Sequence, residues 1–480
     1  MRVVAPFDMF YQLTYMSAMA SAGLSRTKTF ELAAQAASSA AVYFRAINML
    51  VDEFRFDYPE ACRRVGLQAK SDNMRSFLLR LSDALRSGEP LADYLAREAE
   101  VQGQDYQNSY ERSLESLKQW SNAFSSIVIS VALIVIVQVI SSMIYSLNPP
   151  VISMLVLTGV VISGLSAWII WRSAPQEIMT VNPAKGSPEQ RRALRLFRTL
   201  TPVMAALSAV LGLLGVPMGI ILIMAACFMM PVGITSLISD GRTNKKDVEF
   251  STFLRSTGGM ATASGTTLKE ALTKIDLSSF PTLEPDIQRL AKRLQARVDP
   301  EICWRRFGVE SGSRLISDVT LIFYGAIKVG GDPERVGYLC SLFTAKTAQL
   351  RAKRRLTAGT FSGLTTVMQA VVAGLMVFVL SIVVNFSEMI ELLMPAEEEL
   401  VEGRPDISMG LATFSASELS FLTTITLIMV VMLALVSAAA IILSDGGYKL
   451  KFMFYLALTV FISGVCMLIV PPMVGGILTM

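Results

Sequence analysis

Residues 119–171 read QWSNAFSSIVISVALIVIVQVISSMIYSLNPPVISMLVLTGVVISGLSAWIIW, without a single Asp, Glu, Lys or Arg. A helix crossing a hydrocarbon core of about 30 Å needs roughly 20 apolar residues. The run is therefore long enough for two crossings. Asn148-Pro149-Pro150 divides it, because Pro disfavours continuation of a helix and restricts the residue before it. A hairpin with spans over 124–147 and 151–171 follows. Outward from this stretch, further charge-free runs cover 199–239, 356–387, 419–444 and 452–480. The first of these is split at Gly215-Val216-Pro217 into two spans, and the others give one each. Seven spans result. Composition agrees: the chain is 52% apolar and only 17% charged, with a mean hydropathy of +0.50, too oily for an ordinary soluble domain.

The remaining residues fall into two polar segments. Met9 to Ser25 carries Tyr11, Gln12, Thr14, Tyr15, Ser17 and Ser21, so it lacks the oily core of a secretory signal, and the first segment is expected to stay where it is made. Short basic loops mark the cytoplasmic side. Residues 172–201 hold Arg172, Lys185, Arg191, Arg192, Arg195 and Arg198 against Glu177 and Glu189 and are expected inside. Residues 387–418 hold eight acids, among them Glu397, Glu398 and Glu399, with the single base Arg404, and are expected outside. Four spans separate 1–123 from 240–360, which puts both polar segments in the cytoplasm and the C-terminus, after the spans of 419–480, outside. The expected order is a helical domain (1–123), a span hairpin (124–171), a basic loop (172–201), two spans (202–239), a second helical domain (240–360), a fifth span (361–386), an acidic outer loop (387–418) and two final spans.

The two polar segments resemble each other at an offset of 242 residues. Arg63-Arg64-Val65-Gly66 aligns with Arg305-Arg306-Phe307-Gly308, Ala84 to Gly88 with Ala326 to Gly330, and Gly23 with Gly265. Each reads as α-helices, without β alternation. Met74, Phe77, Leu78, Leu81 and Leu85 share a helical face, as do Val319, Ile322, Phe323, Ala326 and Ile327, and Leu283, Ile287, Leu290, Leu294 and Val298. Gly88 and Gly330 suit left-handed C-caps, and new helices start at Pro90 and Pro333, with Asp332 as a cap for the second.

Several chemistries are excluded. The chain has no histidine, so imidazole proton shuttles, Ser-His-Asp or Cys-His arrangements and imidazole metal sites cannot be built. Gly258 to Gly265 is rich in Gly, Ser and Ala but lacks the lysine of a phosphate loop. The five cysteines are scattered, without a Cys-x-x-Cys pair, and read as small buried hydrophobes. No ionised residue lies within a span, and Gln138 and Gln369 read as interhelical hydrogen-bonding groups. No cofactor, metal or enzymatic activity is expected. Residues 240–355 hold 20 bases and 13 acids, whereas 1–123 hold 14 and 15, which makes the second domain the stronger electrostatic dock. Its bases gather at Lys346, Arg351, Lys353, Arg354 and Arg355, where anionic headgroups or an acidic partner would meet them.

Two helical domains with the patterns around Gly23, Ala84 to Gly88, Gly265 and Ala326 to Gly330, each leading directly into spans, resemble the type II secretion system F domain family. Four spans between the copies and a long acidic outer loop resemble its archaeal and Tad-like branch, and most closely the platform proteins of the archaellum and of archaeal type IV pili. The resemblance implies an assembly platform. A hexameric secretion ATPase would dock on the cytoplasmic domains, and pilin or archaellin subunits would be lifted from the membrane into a growing filament, with rotation in the archaellum. It implies a homodimer on the filament axis and no nucleic-acid partner. It makes Arg63, Arg64, Arg305, Arg306 and the helix bearing Lys346, Arg351, Lys353, Arg354 and Arg355 candidates for ATPase contact, with Gly23, Gly66, Gly88, Gly265, Gly308 and Gly330 as structural repeat positions. Competing readings from the residues alone are a small-molecule transporter of duplicated halves and a membrane scaffold or receptor acting through the acidic loop.

Overall fold

The computed structural model describes residues 3–141, 149–184, 186–393 and 416–478. The 394–415 part of the acidic loop lies outside them. Helices α1 (Pro6–Ala20), α2 (Arg26–Gln35), α3 (Ala41–Asp52), α4 (Tyr58–Leu67), α5 (Asp72–Ser87) and α6 (Leu91–Ser141) come first, followed by α7 (Pro149–Ser173), α8 (Pro188–Leu213) and α9 (Met218–Ser264). Then come α10 (Leu268–Lys274), α11 (Glu284–Gln295), α12 (Pro300–Glu310), α13 (Arg314–Lys328), α14 (Pro333–Leu393), α15 (Ala416–Asp445) and α16 (Phe452–Leu478). Among the described residues the only extended pairing is one antiparallel bridge, Thr180 to Ser313. Among the described residues the fold is all-α, and seven helices are long and apolar enough to cross a membrane. The protein is a multi-pass membrane protein.

The chain divides into two compact units. The polar unit combines residues 1–112, 178–191 and 239–353. Its helices α2, α4, α5 and α6 begin at 26, 58, 72 and 91, and α10, α12, α13 and α14 begin 242 residues later, at 268, 300, 314 and 333. The caps repeat as well. Gly88 and Gly330 take left-handed φ values of 76° and 101°, and the next N–H in each case, from Glu89 or Gly331, reaches back to the carbonyl of Ala84 or Ala326. That Schellman closure satisfies carbonyls the helix end would leave bare. Gly23 and Gly265 are also left-handed. Gly66 and Gly308 are glycine for a different reason. A Cβ at Gly66 would lie 3.1 Å from the Leu78 Cβ, and one at Gly308 2.8 Å from the Ser317 Cα, where each helix crosses its successor.

The apolar stripes read from the sequence form the cores. Met74, Phe77, Leu78, Leu81 and Leu85 are buried with Phe30, Tyr43 and Phe44, and Val319, Ile322 and Phe323 with Phe250, Phe253, Trp304 and Phe307. Val298 departs from its expected stripe. α11 stops at Gln295, and Val298 is exposed beyond its end. The expected basic loop 172–201 also changes character, since its second half belongs to α8. Ser187-Pro188-Glu189-Gln190 is a capping box: the Ser187 hydroxyl accepts from the Gln190 N–H, and the Gln190 side-chain oxygen accepts from the Ser187 N–H. Pro188 supplies the favoured first-turn residue.

The apolar unit combines residues 113–177, 192–238 and 354–480. Gln369 is fully buried here, its amide nitrogen donating to Ser463 and its oxygen accepting from Ser437 (3.2 and 3.3 Å), which ties α14 to α15 and α16. Gly219 and Gly464 bring α9 and α16 together so closely that a Cβ on Gly219 would lie 3.0 Å from the Gly464 carbonyl oxygen. Small residues at membrane crossings permit such close packing.

Candidate functional site

Arg63 and Arg64 lie on α4, Arg305 and Arg306 on α12, and all four side chains are exposed. Arg64 pairs with Glu60 at 2.9 Å and covers the Phe56 ring at 4.0 Å. The Arg64 hydrogen bond is the chief reason the Glu60 carboxyl sits below its usual range. Arg305 adds to the field on Glu301, whose carboxyl is lowered mainly by Lys328. Each pair thus presents a basic face at an equivalent position of its helix.

The bases of α14 behave differently. Lys346 bonds Gln104 at 3.2 Å, Lys353 pairs with Glu111, and Arg335, three turns before Lys346 on the same helix, pairs with Asp93. In all three cases the partners are 242 residues apart. The 242-residue offset between the helix starts thus recurs in the contacts between α6 and α14. Burial shifts the Lys346 ammonium downward. Arg351 is 4% exposed and bonds Asp247 at 2.8 Å, while the Ser313 hydroxyl donates to the other Asp247 oxygen. Arg354 is 2% exposed, and its guanidinium donates to the carbonyls of Pro175, Leu443 and Ser444, within the apolar unit. It lies in the space above Gly446, where a Cβ would collide with it. Arg351 and Arg354 are structural ties without a solvent-facing charge, and they leave the candidate dock. Arg355 is half-buried. The expected continuous basic patch is therefore spent largely inside the molecule.

Sequence reasoning did not assemble a second group. A cavity of about 520 Å³ in the polar unit is lined by Arg242, Lys245 and Lys246 of α9, Arg289 and Asp286 of α11, and Glu189 of α8. Arg242 pairs with Glu189 at 2.6 Å, Lys246 with Asp286 at 2.7 Å, and Arg289 with Asp286. Partial burial opposes ionisation of Glu189, yet hydrogen bonds from its own backbone and from Arg242 hold its carboxyl below the ordinary value. Its residues come from three helices far apart in the chain. The Arg242-x-x-Lys245-Lys246 spacing on one helical face was the available signal.

Residues 13–139 match the family described as type II secretion system (T2SS), protein F. The matched stretch runs from within α1 through α2, α3, α4 and α5 and ends in the apolar part of α6. Two proteins named flagella accessory protein J are similar to the chain. That of Methanocaldococcus jannaschii is 27% identical over 317 residues, 64% of this chain and 56% of the relative. That of Methanococcus voltae is 22% identical over 331 residues, 66% of this chain and 59% of the relative. The chain thus matches less than two thirds of the length of either relative. No solved structure matches it.

Proposed function

We propose that the chain is the membrane platform of an archaellum or type IV pilus-like filament machine. The match to protein F, joined to similarity with two flagella accessory proteins J, carries this reading. In it, both repeats of the polar unit face the cytoplasm, a hexameric secretion ATPase docks on them, and a homodimer of the apolar unit hands pilin-like subunits to a growing filament. The energy comes from the ATPase, and rotation of the filament would use the same coupling. The unbroken course of α6 and α14 from polar into apolar sequence, and of α9 from apolar into polar sequence, suits the transmission of force. Gln369, bonded at both ends of its amide to neighbouring helices, is accounted for by packing and supplies no transport site.

The dock is assigned to the exposed pairs Arg63, Arg64, Arg305 and Arg306, with Lys353 and Arg355 at its margin. Changing the four paired arginines to Glu is expected to reduce capture of the partner ATPase by the detergent-solubilised chain at least tenfold, while the amount of folded chain in the membrane is unchanged. Capture equal to that of the unaltered chain would remove both faces from the dock.

A further inference from the structure

Four cations and two carboxylates line the 520 Å³ cavity between α8, α9 and α11. Its volume lies in the range of small-ligand sites. The two acids are each already paired with bases of the wall, and Arg289 also meets Glu310, outside the lining, at 3.7 Å; the lining itself keeps a surplus of two positive charges. The helix N-termini nearby do not provide the site: Glu249 already accepts from the N–H groups of Thr282 and Leu283 before α11, and Ser187 caps α8. Recognition rests on the side chains.

Position along α9 selects the ligand. The apolar run of this helix ends at Ile238 and Ser239, and Arg242 follows Ile238 by one turn, about 6 Å at 1.5 Å per residue. A bilayer with a hydrocarbon core of about 30 Å and a full thickness of about 40–45 Å leaves roughly 5–8 Å per side for headgroups. Arg242 therefore falls in the headgroup layer, with Lys245 and Lys246 one turn deeper in the polar unit. Arg offers a forked donor set suited to phosphate oxygens, and Lys adds a compact charge.

We propose that this cavity binds the phosphate of an anionic phospholipid headgroup, with Arg242, Lys245 and Arg289 facing the ligand and Lys246 held behind them by Asp286. The ligand would tie the polar end of α9 to the membrane surface. This goes beyond the platform reading and does not depend on it.

The test uses the full chain, purified in detergent and examined by native mass spectrometry for retained dioleoyl phosphatidylglycerol and dioleoyl phosphatidylcholine. Lys245→Gln is expected to lower phosphatidylglycerol retention about fivefold, and Arg242→Gln with Lys245→Gln further by a similar factor, as for the removal of one headgroup-facing charge each. Phosphatidylcholine retention should stay unchanged. Lys245 is exposed, so the single variant keeps its fold and remains informative if the double one does not. Undiminished phosphatidylglycerol retention in Lys245→Gln overturns the proposal. So does a rise in thermal unfolding midpoint with inorganic phosphate alone that equals or exceeds the rise with phosphatidylglycerol, because the site would then serve a free anion.

Discussion

Asp247 and Arg351 are each closed off from water, with side chains 3% exposed. Removing one member of such a pair leaves an uncompensated charge in a dry site, at a typical cost of about 3–5 kcal/mol. Arg351→Met is accordingly expected to lower the thermal unfolding midpoint sharply. Asp247→Leu combined with Arg351→Met should recover much of that loss, because the double change removes both charges together. A double variant no better than the single one would show that Asp247 acts chiefly through Ser313. A second expectation concerns Asp318 on α13. Desolvation raises its carboxyl, against the opposing pull of Arg314. A folded-state value above the unfolded one means that the native state binds the proton more tightly, so stability is gained as pH falls through the raised value and is complete below the ordinary carboxylate value of about 3.9. Across that window the unfolding midpoint of the unaltered chain should rise relative to Asp318→Asn. Parallel midpoints would mean that Asp318 titrates normally.

Among the elements, α9 and α14 meet through backbone. A Cβ at Gly258 would lie 2.2 Å from the Pro333 carbonyl oxygen, and one at Gly337 would lie 2.7 Å from that of Leu254. A backbone cannot step aside as a flexible side chain can, so Gly258→Val should cost on the order of 1–3 kcal/mol, read as a lower unfolding midpoint. Gly259, with nothing within 4 Å of its Cβ position, is the control, and Gly259→Ala should leave the midpoint unchanged or raise it slightly, because Ala is the better helix former. In the sequence, Gly258 to Gly265 stood out only as a small-residue stretch without a phosphate-loop lysine. Its role as the last turns of α9 depends on a neighbour that begins at Pro333. The seven spans, the helical stripes apart from Val298, and the caps at Gly88, Gly330 and Asp332 were legible, because each rests on local periodicity or on a cap within a few residues. The roles of Arg351 and Arg354 were not. A base at the edge of an apolar run has the same local pattern whether it faces headgroups or a buried carboxylate 104 residues away, and three carbonyl acceptors leave no mark in side-chain identity. The basic cavity was hidden for the same reason, since α8 and α11 contribute from opposite sides of α9 in the chain.

At the scale of the whole molecule, the helices common to both compact units become decisive. α6, for example, is one helix of 51 residues, and residue 112 is the last it contributes to the polar unit. Beyond Gly103 this helix carries no Pro or Gly, and an α-helix without them bends only gently, so in the platform reading it transmits displacement where a loop would absorb it. Inserting Gly-Ser-Gly after Arg112 should interrupt the hydrogen-bond ladder and introduce a swivel, since interior Gly costs about 1 kcal/mol relative to Ala. The platform reading then makes a divided prediction. The insertion variant, produced in a host lacking the native copy, should reach the membrane and still capture the ATPase, because the arginine faces on α4 and α12 are untouched. Filament assembly, scored by electron microscopy of the cell surface, should be lost. Inserting seven helix-forming residues at the same point should restore part of it, because two turns of 3.6 residues return nearly the same facing. Normal filaments in the Gly-Ser-Gly variant would show that α6 need not be stiff. They would leave α9 and α14 to carry the motion, or exclude transmission through the helices altogether if the same insertion in those two was equally silent.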